Sequence, residues 1–479
     1  MKMVKSLLLS GAAGMVAVAG AQAADLPVKA KPVEYVKVCN LYGEGFFYVP
    51  GTDTCLKVGG YVRFDTYFNG AGGSGGAAIT SPLGLNDRID THDVGFRGRG
   101  MMSLDARTQT EYGTLRAYTR FGYNFTSTGN STTNTLNAER AFIQFAGFTF
   151  GVTQSYFDFL AHSYAYSSFA WLGGSDTGGA GLPLAAYTAQ FGNGLSATIS
   201  IEDNNTSKNL LVDAGIPTSL PLGAGVSDSG AQQVPDIIGN FRVDQAWGSA
   251  QIMGALHQVR AGCFGVNGAA VGCTAPSDAW GWAAGGGVII NLPWNKGDVF
   301  FLEGTYEQGA IRYIGGAPNF GPSLVRFDGA TVAPGFMVDG GFGGAGASGI
   351  ELSSGWDIYG GVEHYWTPSL RTSVWGTYSQ VHMGGGLNTL LNAASAANTG
   401  GGQGLDFSFN IWAVGTRSVW QPVKNLDLGF EVLYGKIEPK ASGGLYTFAG
   451  SGGRPGGTYT VGDIGIWSGM IRVQRNFWP

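Results

Sequence analysis

The sequence predicts an all-β chain: a 16-stranded antiparallel transmembrane β-barrel with short turns at one end and long loops at the other. Three observations predict it. The composition is rich in glycine (82 of 479 residues) and aromatics (13%) but poor in charge (13%), against usual values of ~7% glycine and ~25% charged residues. Sixteen stretches carry apolar residues at every second position, and the connections between them alternate short and long. No stretch after the N-terminal segment has 18 consecutive apolar residues, so membrane helices are excluded. The aromatic content argues against disorder. What fits is a barrel whose strands alternate a lipid face with a water face.

The first element is a leader. Lys2 and Lys5 precede an apolar run, Leu7 to Val18, and Ala21-Gln22-Ala23 is an A-x-A cleavage pattern. Residues 1–23 therefore read as a secretory signal peptide. The 479-residue chain less these 23 leaves 456 residues, and losing two lysines takes the formal net charge from −5 to −7. A net acidic chain disfavours nucleic acid as a partner.

Residues 24–55 follow, with Pro27, Pro32 and Pro50 and no long alternation. They read as a small periplasmic segment closed by a disulfide. The chain has four cysteines, Cys39, Cys55, Cys263 and Cys273. Four cysteines allow three connectivities. Export to an oxidising compartment and closeness in sequence favour Cys39–Cys55 and Cys263–Cys273. The 17-residue Cys39–Cys55 loop is worth on the order of 3 kcal/mol against the unfolded chain. With no C-x-x-C and five scattered histidines, a metal site is not expected, and no cofactor is called for.

The barrel reads as residues 56–479. In its first strand Val58, Val62, Phe64 and Phe68 share one parity while Lys57, Tyr61, Arg63, Asp65 and Tyr67 share the other. Further strands fall at about 94–107, 113–125, 137–147, 147–154, 183–192, 195–202, 236–245, 247–260, 278–291, 298–308, 354–366, 369–381, 406–420, 424–436 and 462–478. Many approach the ~9–11 residues a tilted strand needs to cross a bilayer. Long connections are expected at 69–93, 155–182, 203–235, 261–277, 309–353, 382–405 and 437–461, with a brief one at 126–136. Short periplasmic turns and long extracellular loops are the barrel signature. Trp247, Trp294, Trp366 and Trp420 lie beside the short turns, where interfacial aromatics collect. In strand 406–420, Arg417 shares the parity of Phe407 and Phe409; either a bulge resets the register or Arg417 sits at the periplasmic interface.

Candidate functional residues concentrate between Asp93 and Gly179. Arg63, Arg97, Arg99, Arg116 and Arg120 have water-facing parity, and Arg140 joins them if Ala141, Ile143 and Phe145 face lipid. Arginine on the lipid face near the midplane would cost ~2–4 kcal/mol, so the lumen is favoured. Neighbouring strands are ~4.8 Å apart, which makes these guanidiniums a cluster. The bland alternative is that they pair with Asp65, Asp105 and Glu139 to stabilise the wall, and the two roles are compatible. Loop 155–182 carries two acids, Asp158 and Asp176, one histidine, His162, and the aromatics Tyr156, Phe157, Phe159, Tyr164, Tyr166, Phe169 and Trp171. Folded inward, its two carboxylates would oppose the arginines; otherwise the loop is an exposed aromatic cap. Matches to G-x-S-x-G and G-x-G-x-x-G at 70–76 lie in a glycine-rich loop without the strand–turn–helix setting such chemistry needs. No catalytic residue is assigned.

The stretches Val33 to Cys39, Gly45 to Thr52 and Cys55-Leu56-Lys57-Val58-Gly59-Gly60-Tyr61-Val62-Arg63 resemble the porins of alphaproteobacteria, of the Brucella and rhizobial type. The strand rhythm extends the resemblance over the mature chain. It implies an outer-membrane homotrimer in contact with lipid, passing small hydrophilic solutes and ions passively, with the third outer loop, 155–182, folded into the pore. A channel that binds one solute class, such as a sugar, is the alternative, and a barrel adhesin or enzyme a more distant one. Outer-membrane barrels generally end in phenylalanine, whereas this chain ends Phe477-Trp478-Pro479.

Overall fold

A computed structural model describes residues 37–69, 94–128, 131–161, 163–166, 173–205, 209–213, 229–262, 276–315, 323–343, 349–399, 404–448 and 455–477. The leader, His162, Phe169, Trp171, the Cys263–Cys273 pair and the last two residues lie outside the described residues.

Sixteen antiparallel strands close on themselves. They are β1 (Cys55–Phe68), β2 (Val94–Thr110), β3 (Gly113–Thr128), β4 (Ser131–Phe145), β5 (Phe148–Thr153), β6 (Leu182–Gly192), β7 (Leu195–Glu202) and β8 (Asp236–Gln245). Next come β9 (Gly248–Val259), β10 (Ala279–Asn291), β11 (Val299–Gln308), β12 (Ser354–Thr367), β13 (Leu370–His382), β14 (Phe409–Val423), β15 (Leu426–Pro439) and β16 (Ile464–Asn476). Each strand pairs with its sequence neighbour. Closure comes from β1 meeting β16, with Asp65 opposite Arg472 and Phe68 opposite Gly469. No strand edge is left unpaired in the barrel, as a membrane requires.

The expected parity holds. Val62, Phe64 and Phe68 on β1, Phe121, Tyr123 and Phe125 on β3, and Ile252 and Leu256 on β9 face outward and are exposed. These are the lipid-facing positions of a barrel. Trp247, Trp294, Trp366 and Trp420 are exposed near the short turns, while Trp280, Trp282, Trp356 and Trp467 are exposed near the long loops, giving an aromatic girdle at each interface. The short turns use matching chemistry: Asn193 and Gly194 both take positive φ, 49° and 74°, as a two-residue hairpin turn of the primed type demands. Cys39 and Cys55 are disulfide-bonded and bury with Phe46 against the short strand Phe47–Tyr48, which pairs with the start of β1.

Two departures from the sequence reading are informative. β3 runs on to Thr128 and β4 begins at Ser131, with Thr128 opposite Ser131, so the brief loop expected at 126–136 shrinks to two residues. Threonine and asparagine repeats there look like loop, yet Thr132 to Asn137 pair along the whole extension. Second, the long loops fold. Residues 323–328, 331–336, 445–448 and 457–461 form a four-stranded sheet; 210–213, 338–342 and 351–352 form a three-stranded one. A helix, α1 (Gly385–Thr399), joins them. Phe327, Val332, Phe336, Val338, Leu387 and Leu391 then make one buried cluster with the inward-facing Trp375, Phe409 and Ile411 of the wall. The long-loop half of the lumen is therefore partly filled by an apolar core.

This core explains β14. Its pairing with β13 is unbroken from Phe409–Val381 to Trp420–Leu370, so no bulge intervenes. Phe407, Phe409 and Arg417 all face inward and are buried. The two phenylalanines pack against the loop core, and Arg417 lies nearer the short-turn end beside Glu363, 2.7 Å away. Outward positions on this strand are Val414 and Trp420.

Candidate functional site

The site is built from the inner faces of β1 to β4 and β16 and from the third long loop, which runs from Gln154 to Gly181. Ladder register brings the arginines together. Arg63 lies opposite Arg99, and Asp65 lies opposite both Arg97 and Arg472. Arg107 is opposite Arg116, and Arg120 opposite Arg140. The register shifts by one residue beside Arg120. That bulge turns consecutive residues Glu139 and Arg140 to the same side, while Ile143 is exposed on the outer face.

Three carboxylates organise the guanidiniums. Asp65 accepts from Arg97 (Nε 2.9 Å, NH2 2.6 Å) and Arg472 (Nε 2.7 Å), with Arg63 Nε at 3.3 Å. Asp105 holds Arg107 and Arg116, each through two nitrogens at 2.8–3.0 Å. Glu139 pairs with Arg99 and with Arg120, the latter at 2.6 Å. Arg140 instead donates to the carbonyls of Gly179 (2.6 Å) and Gly178 (3.2 Å), tying the returning limb of the loop to the wall. Eight guanidiniums thus face three carboxylates, an excess of five positive charges. The carboxylates lie underneath: Asp65 and Glu139 side chains are 0% and 4% exposed, whereas Arg116 and Arg120 are 26% and 31% exposed. The side chains of this wall most open to the lumen are Arg107, Arg116 and Arg120.

The third loop leaves β5, crosses to the opposite wall as far as β15, and returns to β6. Wall carboxylates accept its backbone N–H groups. Tyr156 N donates to Glu202 Oε1 (2.9 Å), Leu160 N to Glu303 Oε2 (2.9 Å), Tyr166 N to Glu431 Oε2 (2.6 Å) and Gly174 N to Asp357 Oδ2 (2.6 Å). Where the carboxylate is ionised, such a bond is worth roughly 1.5–3 kcal/mol. The aromatics are packed rather than free. Phe157 is fully buried and lies 4.5 Å from the Tyr313 ring, and Tyr164 stacks on Phe301 at 4.0 Å. Tyr166 sits 4.1 Å from the Arg472 guanidinium and 5.1 Å from that of Arg417. Gly429 makes room for it: a β-carbon there would stand 2.2 Å from the Tyr166 hydroxyl. Gly174 turns at φ +86°, a conformation that favours glycine, to aim its N–H at Asp357.

The two loop acids bond within the loop and lie close enough to Arg140 to act on its charge. Asp158 accepts from Ser175 Oγ (2.6 Å), Thr177 N (2.8 Å) and Thr177 Oγ1 (2.7 Å), pinning the outgoing limb to the returning one. Burial, and next the negative charge of Asp176, hold its carboxyl above the usual carboxylate range. Asp176 Oδ1 accepts the Gly178 N–H at 2.7 Å, next to the carbonyls that Arg140 grips. The sequence reading missed Arg472, although Trp467, Ile471 and Val473 flank it with lipid parity and barrel closure puts the last strand beside the first. It also missed the four carboxylates that anchor the loop; their water-facing parity was readable, but their partners are backbone groups that carry no sequence signal.

Residues 25–470 match the family model described as the porin subfamily. The chain belongs to this porin family. Among its relatives, porin Omp2b of Brucella suis biovar 1 is 33% identical over 263 residues, covering 51% of this chain and 64% of that protein. Porin Omp2b of Brucella melitensis is 34% identical over the same shares. The match thus spans somewhat less than two thirds of these relatives. Among solved structures, the outer membrane channel DcaP of Acinetobacter baumannii superposes with a TM-score of 0.59 at 14% identity, covering 90% of this porin chain and 99% of that chain; this likeness shows the fold alone.

Proposed function

We propose that this porin is an outer-membrane channel of a Gram-negative bacterium through which small hydrophilic solutes and ions diffuse passively, and that the constriction between the arginine wall and the third loop favours anions. The observation that carries the reading is the inverted burial at the wall. Its carboxylates are covered while Arg107, Arg116 and Arg120 keep 26%, 26% and 31% of their side chains exposed, and three acids that hold the loop are sealed beneath it: Glu303 and Glu431 are 0% exposed and Glu202 1%. Charged side chains lining a constriction select ions, and arginine keeps its charge at any physiological pH. Cleavage near Ala23, a periplasmic disulfide-closed segment at residues 24–55, assembly as a homotrimer and a role that involves no catalysis belong to the same reading.

The test is single-channel recording of the reconstituted full chain in a salt gradient. A reversal potential showing anion preference, reduced in Arg97→Ala and Arg120→Ala, is expected; cation preference overturns the selectivity, and absence of conductance overturns the channel. Crosslinking in detergent checks the trimer.

A further inference from the structure

Between the third loop and the short-turn end of β5 to β9 lies a cavity of about 360 Å3, within the ~300–1,000 Å3 range of small-molecule sites. Its lining residues sit within a few positions of the short turns: Thr149 on β5, Thr188 on β6, Ser196 and Thr198 on β7, Asn240 on β8. It therefore lies on the short-turn side of the third loop. It differs in chemistry from the arginine wall, for its walls are hydroxyls and amides. Its two charged side chains are already engaged. Arg242 is held by Asp244 through two bonds of 2.9 Å, and Asp158 is filled by Ser175 and Thr177.

The loop contributes two half-buried rings three residues apart, Tyr156 and Phe159. Both are fixed. Tyr156 donates its hydroxyl to Thr149 Oγ1 (2.9 Å), and its carbonyl accepts from Asn240 Nδ2 (2.6 Å). Phe159 lies between the Arg242 guanidinium, 5.4 Å away, and the backbone at Gly287, where a β-carbon would come within 2.5 Å of the ring. Fixed rings beside a wall of mixed donors and acceptors suit a ligand with an apolar face and a rim of hydroxyls. A ligand with net charge would have to compete with Asp244 for Arg242 or with Ser175 and Thr177 for Asp158, and would lose hydration in doing so.

We propose that this cavity is a binding site for a neutral sugar of oligosaccharide size, which stacks on Phe159 and Tyr156 and exchanges hydrogen bonds with the half-buried Thr153, Gln154 and Thr188 of its wall. It rests on the channel reading for its access, but it binds whether or not the pore conducts. The test therefore has two arms on the full chain. In a sugar-free polyoxyethylene detergent, calorimetric titration with maltotriose reads binding; in planar bilayers, maltotriose added from the periplasmic side reads access. Saturable binding is expected, with affinity about tenfold weaker in Phe159→Ala, equivalent to ~1.4 kcal/mol, and partly restored in Phe159→Leu, which also controls for folding. Polyethylene glycol of equal size should give no saturable heat. Binding that is absent, unsaturable, unchanged in both variants, or matched by succinate overturns the site. Conductance without sugar reports on the channel independently.

Discussion

At the residue scale, Asp65 shows how the wall is made. One carboxylate, fully buried, lies among Arg63, Arg97 and Arg472 from three adjacent strands. Its removal leaves three guanidiniums desolvated and mutually repelling. Breaking a buried pair by deleting one partner typically costs ~3–5 kcal/mol, so Asp65→Asn should lower the temperature at which the folded, fast-migrating form is lost on a denaturing gel; an unchanged transition would show that the cluster does not hold the seam. Arg120 is the opposite case. Its side chain is 31% exposed and Glu139 keeps Arg99, so Arg120→Ala should leave stability nearly intact and act on permeation. A unit charge at about 4 Å in water is worth ~1 kcal/mol, and the anion-to-cation permeability ratio should fall by up to about fivefold. Reversal potentials that do not move would place the selectivity elsewhere.

At the element scale, the third loop is held by acceptors on strands rather than by its own sequence. Asp158 shapes its two limbs, but Glu303 and Glu431 fasten it to β11 and β15. Replacing either by alanine removes the partner of one buried N–H, a loss of roughly 1.5–3 kcal/mol. Glu431→Ala frees the tip at Tyr166 and should raise open-channel current noise; Asp158→Ala should instead loosen the limbs near Arg140. Current traces as quiet as those of the natural protein in both variants would mean that packing of Phe157 and Tyr164 alone fixes the loop. Legibility differs along this element for a physical reason. Strand alternation is a local property of the chain, so all sixteen strands and the loop's place among them could be read from parity and spacing. The arginines followed from the same parity. The anchors could not be read, because a backbone N–H has no residue type to recognise, and Arg472 required a pairing between chain positions some four hundred residues apart.

At the scale of the whole molecule, the surprise is how much of the lumen is protein. A 16-stranded barrel ordinarily leaves an aqueous channel, and alternation alone suggests a polar inner face. Here Trp375, Phe409 and Ile411 point inward and are covered by residues from the loop after β11 and from α1. That inversion misled the reading of β14, since lipid and a folded loop make the same demand on a side chain. It also predicts what the loops do. Residues 331–342 are buried almost throughout, so this part of the loop between β11 and β12 acts as an internal filling of the outer lumen. Replacing it by a short turn should enlarge the single-channel conductance, because the outer vestibule is relieved of its core. The same deletion exposes the inward apolar cluster to water at roughly 25 cal/mol per Å2, so it should also lower the unfolding transition. Substituting Trp375, Phe409 and Ile411 with serine or threonine in the shortened chain should recover stability and keep the larger current. If the shortened barrel conducts no more than the intact one, the constriction at the arginine wall alone sets the conductance, and the folded loops only stabilise the barrel.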